Sequence, residues 1–410
     1  VQISKKRGLA QQETTVVSMV EAERANAAVR PLRVCYFGAY RATYSRNRIM
    51  IEGLRRNDVH VVECHEALWA GIEDRVQAVS GGWKKPAFWL RVLRTYTRLL
   101  RKYWPLRNQY DVLVVGYPGQ FDVYLARLLS WWARKPLVWD IFMSIYLIAL
   151  ERGLDQRSRF TINLLRIVER WACRLPNRLI LDTAEYVTWF GETHGVPAEH
   201  FRLTPTGADS SRFHPLPTAA PCAASRRCTV LYYGSYIPNH GVAAIVEAAR
   251  LLAGESEIRF EMIGQGPDRQ HAQEQATQSG LSNIVFIDWL DQADLVKHIG
   301  CADICLGAFG QTPQSLMTVQ NKIYECMAMG KAVISGDGPA VRQAFCDGEQ
   351  IVLCTRGDGQ ALAEAIRRLQ RDPTLRQRVA EQGHAAFVAH YTVEKLGERL
   401  RGHIEELLTP

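Results

Sequence analysis

From Arg33 onward, short apolar runs alternate with longer stretches in which apolar residues recur every three or four positions. The short runs predict strands at Arg33–Phe37, His60–Cys64, Val112–Val115, Leu137–Trp139, Arg178–Leu181 and Phe201–Thr204. Helical patterns lie between them at 46–57, 86–104, 120–133, 157–175 and 184–194. The alternation breaks over 205–227, which holds four prolines, and then restarts. Strands are predicted at Thr229–Tyr233, Ile258–Ile263, Ile284–Ile287, Ile304–Leu306, Ala332–Ile334 and Ile351–Leu353. The helices of this half are predicted at 241–253, 267–279, 291–299, 320–329, 359–370, 374–389 and 392–408. Strands separated by helices form β-α-β units, whose parallel sheets are covered on both faces. The expectation is therefore an α/β protein with two Rossmann-like, doubly wound parallel-sheet domains facing across a cleft. Residues 1–30 are polar and poorly periodic and predict a loose tail. The domains are expected at 31–208 and 228–390, with a linker at 209–227 and a last segment at 391–410.

A length of 410 residues exceeds what one core usually serves, which agrees with two domains. The longest apolar run, Ile141 to Leu150, is half of the ~20 residues that span a bilayer. No signal-peptide core precedes it, so a cytoplasmic location is expected. The ten cysteines are scattered without a C-x-x-C pair and read as reduced thiols. The net charge of +8 is concentrated: Arg75 to Tyr110 carries nine Lys or Arg and no acid. On a helical wheel Arg91, Arg94, Arg98, Arg101 and Lys102 share one arc, opposite Trp89, Leu93, Tyr96, Leu100 and Trp104. Such a helix suits either the plane of an anionic membrane or a core with a solvated basic face. No nucleic-acid-binding motif accompanies the patch, so no nucleic-acid partner is expected.

Three stretches of the second half carry candidate chemistry. Gly234-Ser235-Tyr236-Ile237-Pro238-Asn239-His240-Gly241 links a strand to a helix, whose N-terminus favours phosphate. Gly264-Gln265-Gly266-Pro267 follows the next strand and lets backbone approach a ligand. In Gln320-Asn321-Lys322-Ile323-Tyr324-Glu325, Lys322 and Glu325 share one helical face. At a cleft mouth Lys322 would neutralise phosphate and Glu325 would accept sugar hydroxyls; on a free surface the two would be a weak ion pair.

Glu325-Cys326-Met327-Ala328-Met329-Gly330-Lys331-Ala332-Val333-Ile334, preceded in the same domain by G-x-G-P and the glycine turn, resembles the group 1 glycosyltransferases, glycosyltransferase family 4. The resemblance implies the GT-B fold, with a nucleotide-sugar held mainly by the second domain and a last helix returning to the first. It places Glu325 at the second acid of the family's E-x7-E motif, where it would bind the donor. The first acid falls on Met317, and the family's two diphosphate-binding cations fall on Ser235 and His240. In the first domain Gly38 belongs to the first strand-end loop, Arg46 would meet donor phosphate or an anionic acceptor or else lie on the helix surface, and Asp140, at a strand end, would position the acceptor hydroxyl or act as base, or else cap the next helix.

By resemblance a retaining hexosyltransferase that uses a nucleoside-diphosphate sugar is expected, and the basic aromatic helix suggests a lipid-linked or surface-glycan acceptor. Donor-binding residues are Gly38, Arg46, Gly234, Ser235, His240, Gly241, Gly264, Gly266 and Lys322; catalytic residues are Asp140 and Glu325. No D-x-D occurs, so neither metal nor cofactor is expected beside the donor. Arg91, Arg94, Arg98, Arg101 and Lys102 would face the inner surface of the plasma membrane. The alternatives are a catalytically silent subunit of a glycan-assembly complex and a sugar-nucleotide epimerase.

Overall fold

Two six-stranded sheets organise the chain, and every pairing in them is parallel. The computed structural model describes residues 30–68, 86–216 and 227–409. The expected tail and the middle of the expected linker lie outside the described residues. The first sheet contains β1 (Arg33–Gly38), β2 (His60–His65), β3 (Val112–Val115), β4 (Leu137–Asp140), β5 (Arg178–Leu181) and β6 (Phe201–Leu203), in the order β2-β1-β3-β4-β5-β6. The second contains β7 (Cys228–Tyr233), β8 (Ile258–Ile263), β9 (Ile284–Ile287), β10 (Ile304–Leu306), β11 (Ala332–Gly336) and β12 (Val352–Cys354), in the order β12-β11-β10-β7-β8-β9. In each sheet the first strand is flanked on both sides by later ones. The loops leaving it and its neighbour therefore turn to opposite faces and open a crevice at the strands' carboxyl ends.

Helices cover both faces of each sheet. In the first lobe they are α1 (Ser45–Arg56), α2 (Pro86–Leu106), α3 (Asp122–Ala133), α4 (Ile145–Glu151), α5 (Leu154–Arg157), α6 (Arg159–Ala172) and α7 (Ala184–His194). The second lobe carries α8 (Val242–Leu251), α9 (Arg269–Gln278), α10 (Gln292–Cys301), α11 (Pro313–Met317), α12 (Asn321–Ala328), α13 (Pro339–Ala344), α14 (Gly359–Arg371) and α15 (Pro373–His390). A last helix, α16 (Val393–Glu405), packs on α1: its Leu396, Leu400 and Ile404 join Ile49, Met50 and Leu54 in one cluster. Gly53 and Gly397 bring the two backbones so close that a Cβ on either would overlap the other helix. Strands β3, β4 and β10 are buried at every residue, as sheets covered on both faces require.

Cys301 is disulfide-bonded, which corrects the reading of ten reduced thiols; eight other cysteines are free. It ends α10 at an exposed position, whereas Cys305 lies inside the buried strand β10. Among the described residues no helix is long and apolar enough to cross a membrane.

Candidate functional site

The second lobe's crevice opens where β7 and β10 part. Gly234 ends β7 with a φ of +139°, and a Cβ there would stand 2.9 Å from the Lys322 Nζ. Lys322 belongs to the first turn of α12 and is 5% exposed. Its ammonium lies 4.2 Å from the centroid of the Tyr232 ring and 3.5 Å from His240 Nδ1. Among the described residues no carboxylate hydrogen-bonds to it. The ring face offsets part of the lost hydration, but burial still pushes the Lys322 pKa down to about 7, against the pull of Cys326 and Glu325. An anion placed beside this ammonium would supply the missing partner.

His240 stands next to it. Its Nδ1 is 2.5 Å from the Ser235 carbonyl, which only accepts, so Nδ1 carries the hydrogen. The Tyr232 hydroxyl donates to the same carbonyl at 2.9 Å and fixes the turn. Burial, and then the neighbouring Lys322, hold the His240 pKa well below the ordinary histidine value. His240 is therefore neutral here. Between the two, Lys322 rather than His240 carries the charge of this corner.

Glu325 follows one turn later on α12. Its Oε2 accepts from the Tyr233 hydroxyl at 2.6 Å. Burial raises its pKa, while the Tyr233 hydrogen bond, Lys322 and Arg48 pull it down. Arg48 belongs to α1 of the first lobe, so Glu325 faces the crevice rather than its own domain's exterior. The Asn321 amide also reaches toward Ser45 Oγ across the same gap, at 3.5 Å. Arg48 is half-buried, its Nε has no hydrogen-bond partner, and Arg212, Asp209 and Glu325 all act on it.

Other sequence candidates are used differently. Arg46 and Asp140 are both fully buried and paired to each other, with Arg46 Nη2 at 2.8 Å and Nε at 2.9 Å from the carboxylate oxygens. Arg46 Nη1 donates to the carbonyls of Thr204 and Pro205 at 2.7 and 2.9 Å. The guanidinium is thus spent on tying α1, β4 and the end of β6 together. This corrects its expected donor contact, and it leaves Asp140 as the counter-ion rather than an open base. Gly38 makes room for Asp122, whose Oδ2 accepts from Ala39 N at 2.8 Å. A Cβ at Gly264 would fall on the Gly234 carbonyl, one at Gly266 on the Tyr236 backbone, and one at Gly241 on Phe309 and Gly310. These three glycines let neighbouring loops touch one another at the crevice.

Met317 packs into the first lobe's core, and its carbonyl accepts from Thr183 Oγ1 at 2.7 Å. Tyr186 and Thr318 share a hydroxyl contact of 3.0 Å, and Glu151 accepts from Gln314 N at 2.7 Å. Where the family motif has its first acid, this chain therefore has a contact between lobes. Sequence reasoning missed Tyr232, Tyr233, Arg48 and Asp182. The two tyrosines directly precede the glycine turn, which was the available signal. Arg48 lies two residues from the arginine that was chosen. Asp182 follows β5, and burial pushes its carboxyl up to about 7, with Arg46 pulling the other way.

Residues 227–372 match the family model described as "Glycosyl transferases group 1". The chain is 27% identical over 336 residues to the alpha-D-kanosaminyltransferase of Streptomyces kanamyceticus, covering 80% of this chain and 83% of that protein. It is 30% identical over 162 residues to the phosphatidyl-myo-inositol mannosyltransferase of Mycobacterium leprae, covering 38% of this chain and 41% of that one. Among solved structures, HepE of Anabaena in complex with UDP superposes with a TM-score of 0.66 at 14% identity, over 92% of this chain and all of that one. Sucrose-phosphate synthase of Thermosynechococcus elongatus gives 0.68 at 15% identity, over 92% and 99%. The chain has the GT-B fold, and its residues 227–372 are similar to the group 1 glycosyltransferases.

Proposed function

We propose that the chain is a group 1 glycosyltransferase that moves a hexosyl group from a nucleoside-diphosphate sugar to an acceptor hydroxyl, with retention of configuration and no cofactor beside the donor. The observation that carries the reading is the buried Lys322 ammonium, which has an aromatic ring and a neutral histidine around it but, among the described residues, no carboxylate hydrogen-bonded to it. A donor diphosphate set against it would raise its pKa and hold it charged. Lys322 would then stabilise the negative charge that grows on the departing diphosphate, the main electrostatic task of such a transfer. Glu325, oriented by Tyr233, is placed to accept from donor hydroxyls. HepE, solved in complex with UDP, supports a nucleotide-linked donor.

For the acceptor we favour a lipid-linked or surface-glycan hydroxyl, reached at the inner face of the plasma membrane. Support comes from the basic arc of α2, and from the mannosyltransferase relative whose name specifies a phosphatidyl-inositol acceptor. Turnover with the cognate donor tests the reading. Lys322→Ala and Glu325→Ala should each lower kcat/KM at least ~100-fold with the fold intact. Near-normal turnover in both would remove this corner from the chemistry. The configuration of the product's new linkage, read by NMR, tests retention, and an inverted linkage would refute it.

A further inference from the structure

Helices α2, α3 and α6 lie side by side on the first lobe. Trp104 of α2 stacks on Trp132 of α3 with ring centroids 5.2 Å apart, and Tyr124 of α3 donates to the Val168 carbonyl of α6 at 2.6 Å. Each helix meets the protein along a narrow strip and turns apolar residues outward. In α2 only Thr95, Leu99 and Tyr103 are buried, an i, i+4, i+8 seam, while Trp89, Leu93 and Trp104 are exposed. In α6 the exposed residues Phe160, Leu164, Ile167 and Trp171 recur at the helical period, so an apolar stripe faces water. In α3, Trp131 is 76% exposed, against 71% for Phe160 and 61% for Trp171.

The charges on these helices have one sign. Alpha-2 contains no Asp or Glu. The one acid of α3, Asp122, and the one acid of α6, Glu169, are both buried and hydrogen-bonded inward: Asp122 to Tyr96 and Ala39, Glu169 to Ile145 N and His194. Arg94, Arg98, Arg101 and Lys102 on α2, with Arg159, Arg166 and Arg170 on α6, are exposed. Lys102 also pairs with Glu66 beside α2. We propose that α2, α3 and α6 together form a docking face for an anionic bilayer surface, with the aromatic and aliphatic side chains in the interfacial layer and the arginines on lipid phosphates.

So many exposed large apolar side chains on three adjacent helices are unusual on a protein that stays in water. Tryptophans among arginines match the headgroup level, where a ring is half-dehydrated and a guanidinium keeps its phosphate contacts. A second copy of this chain is a poor occupant, because a symmetric contact would set arginines against arginines with no exposed acid on these helices to answer them. The inference deepens the membrane contact proposed above. It rests on that reading only through α2, and adds a contribution from α3 and α6 that the charge pattern did not reveal.

Sedimentation of the whole chain with vesicles tests it, using equal parts phosphatidylglycerol and phosphatidylcholine against phosphatidylcholine alone. The wild type should bind the anionic vesicles and lose binding in high salt. A variant combining Trp131→Ala, Phe160→Ala, Ile167→Ala and Trp171→Ala, with α2 untouched, should partition roughly tenfold more weakly or worse. Its melting temperature and its donor turnover on a soluble acceptor should match the wild type. Binding equal to the wild type would overturn the three-helix face and leave α2 alone. A wild type that ignores anionic vesicles while transferring sugar normally would overturn both membrane readings and leave the transferase intact. A wild-type dimer that this variant dissociates would reassign the face to self-association.

Discussion

At Lys322 an ammonium is buried against a tyrosine ring, with no carboxylate among the described residues hydrogen-bonded to it, and its pKa falls to about 7. A bound diphosphate favours the charged form, so binding above pH 7 must take up a proton. Donor affinity should therefore be highest below about pH 7 and decline as pH rises toward the pKa of the complex. Calorimetry in buffers of different ionisation enthalpy should show proton uptake at pH 8 that is absent in Lys322→Met. Asp182 has the opposite sign. Its folded pKa is raised to about 7, above the unfolded value, so it costs no stability at low pH and its cost grows as pH climbs to 7. Asp182→Asn should raise the melting temperature at pH 8 by at least ~2 °C, if about 1 kcal/mol is relieved, and change it far less at pH 4. Arg46 and Asp140 form a buried pair, and removing one partner strands the other. Arg46→Met should cost about 3–5 kcal/mol in urea unfolding. Sequence showed that Arg46 and Asp140 lie near a crevice but not that they meet. The 94 residues between them carry no local signal for a contact made by strand order.

Every predicted strand is present to within two residues at either end, because parallel strands covered on both faces read as plain apolar runs. The long amphipathic helices were legible for the same reason. The short α4, α11 and α13, at seven, five and six residues, were not, since two turns are too few to show a period. Two of these matter: α4 and α11 meet through Glu151 and Gln314 and hold the lobes together. The glycine turns were located by sequence, but the loops that pack against them were not: glycine marks where backbone comes close, without saying what arrives there. The arc of arginines on α2 was legible, whereas the outward apolar stripe of α6 was not, because periodicity gives a helix a face without giving its direction. At this scale Asp122 makes a further prediction. It joins Tyr96 of α2 to Ala39 N beside the crevice, at 2.6 and 2.8 Å. Asp122→Ala should loosen the β1–α1 loop, seen as faster amide hydrogen exchange over 38–44 with the second lobe's exchange unchanged.

For the whole molecule, two sheets of like topology bring strand ends face to face, and α16 crosses back to pack on α1. Lys322 of the second lobe and Arg48 of the first, whose Nε has no hydrogen-bond partner, both lie at the crevice with Glu325 between them. That charge arrangement is what the proposed anionic sugar donor would use. The central claim is that this donor is a nucleoside-diphosphate sugar seated on Lys322 and Glu325. The most direct measurement is a thermal-shift series of nucleoside diphosphates and their sugars on the wild type and on Lys322→Ala. One nucleotide-sugar should raise the wild-type melting temperature in a concentration-dependent way, by the stabilisation RT ln(1 + [L]/Kd), and most of that shift should vanish in the variant. No shift with any of them, or an equal shift in both proteins, would contradict the account.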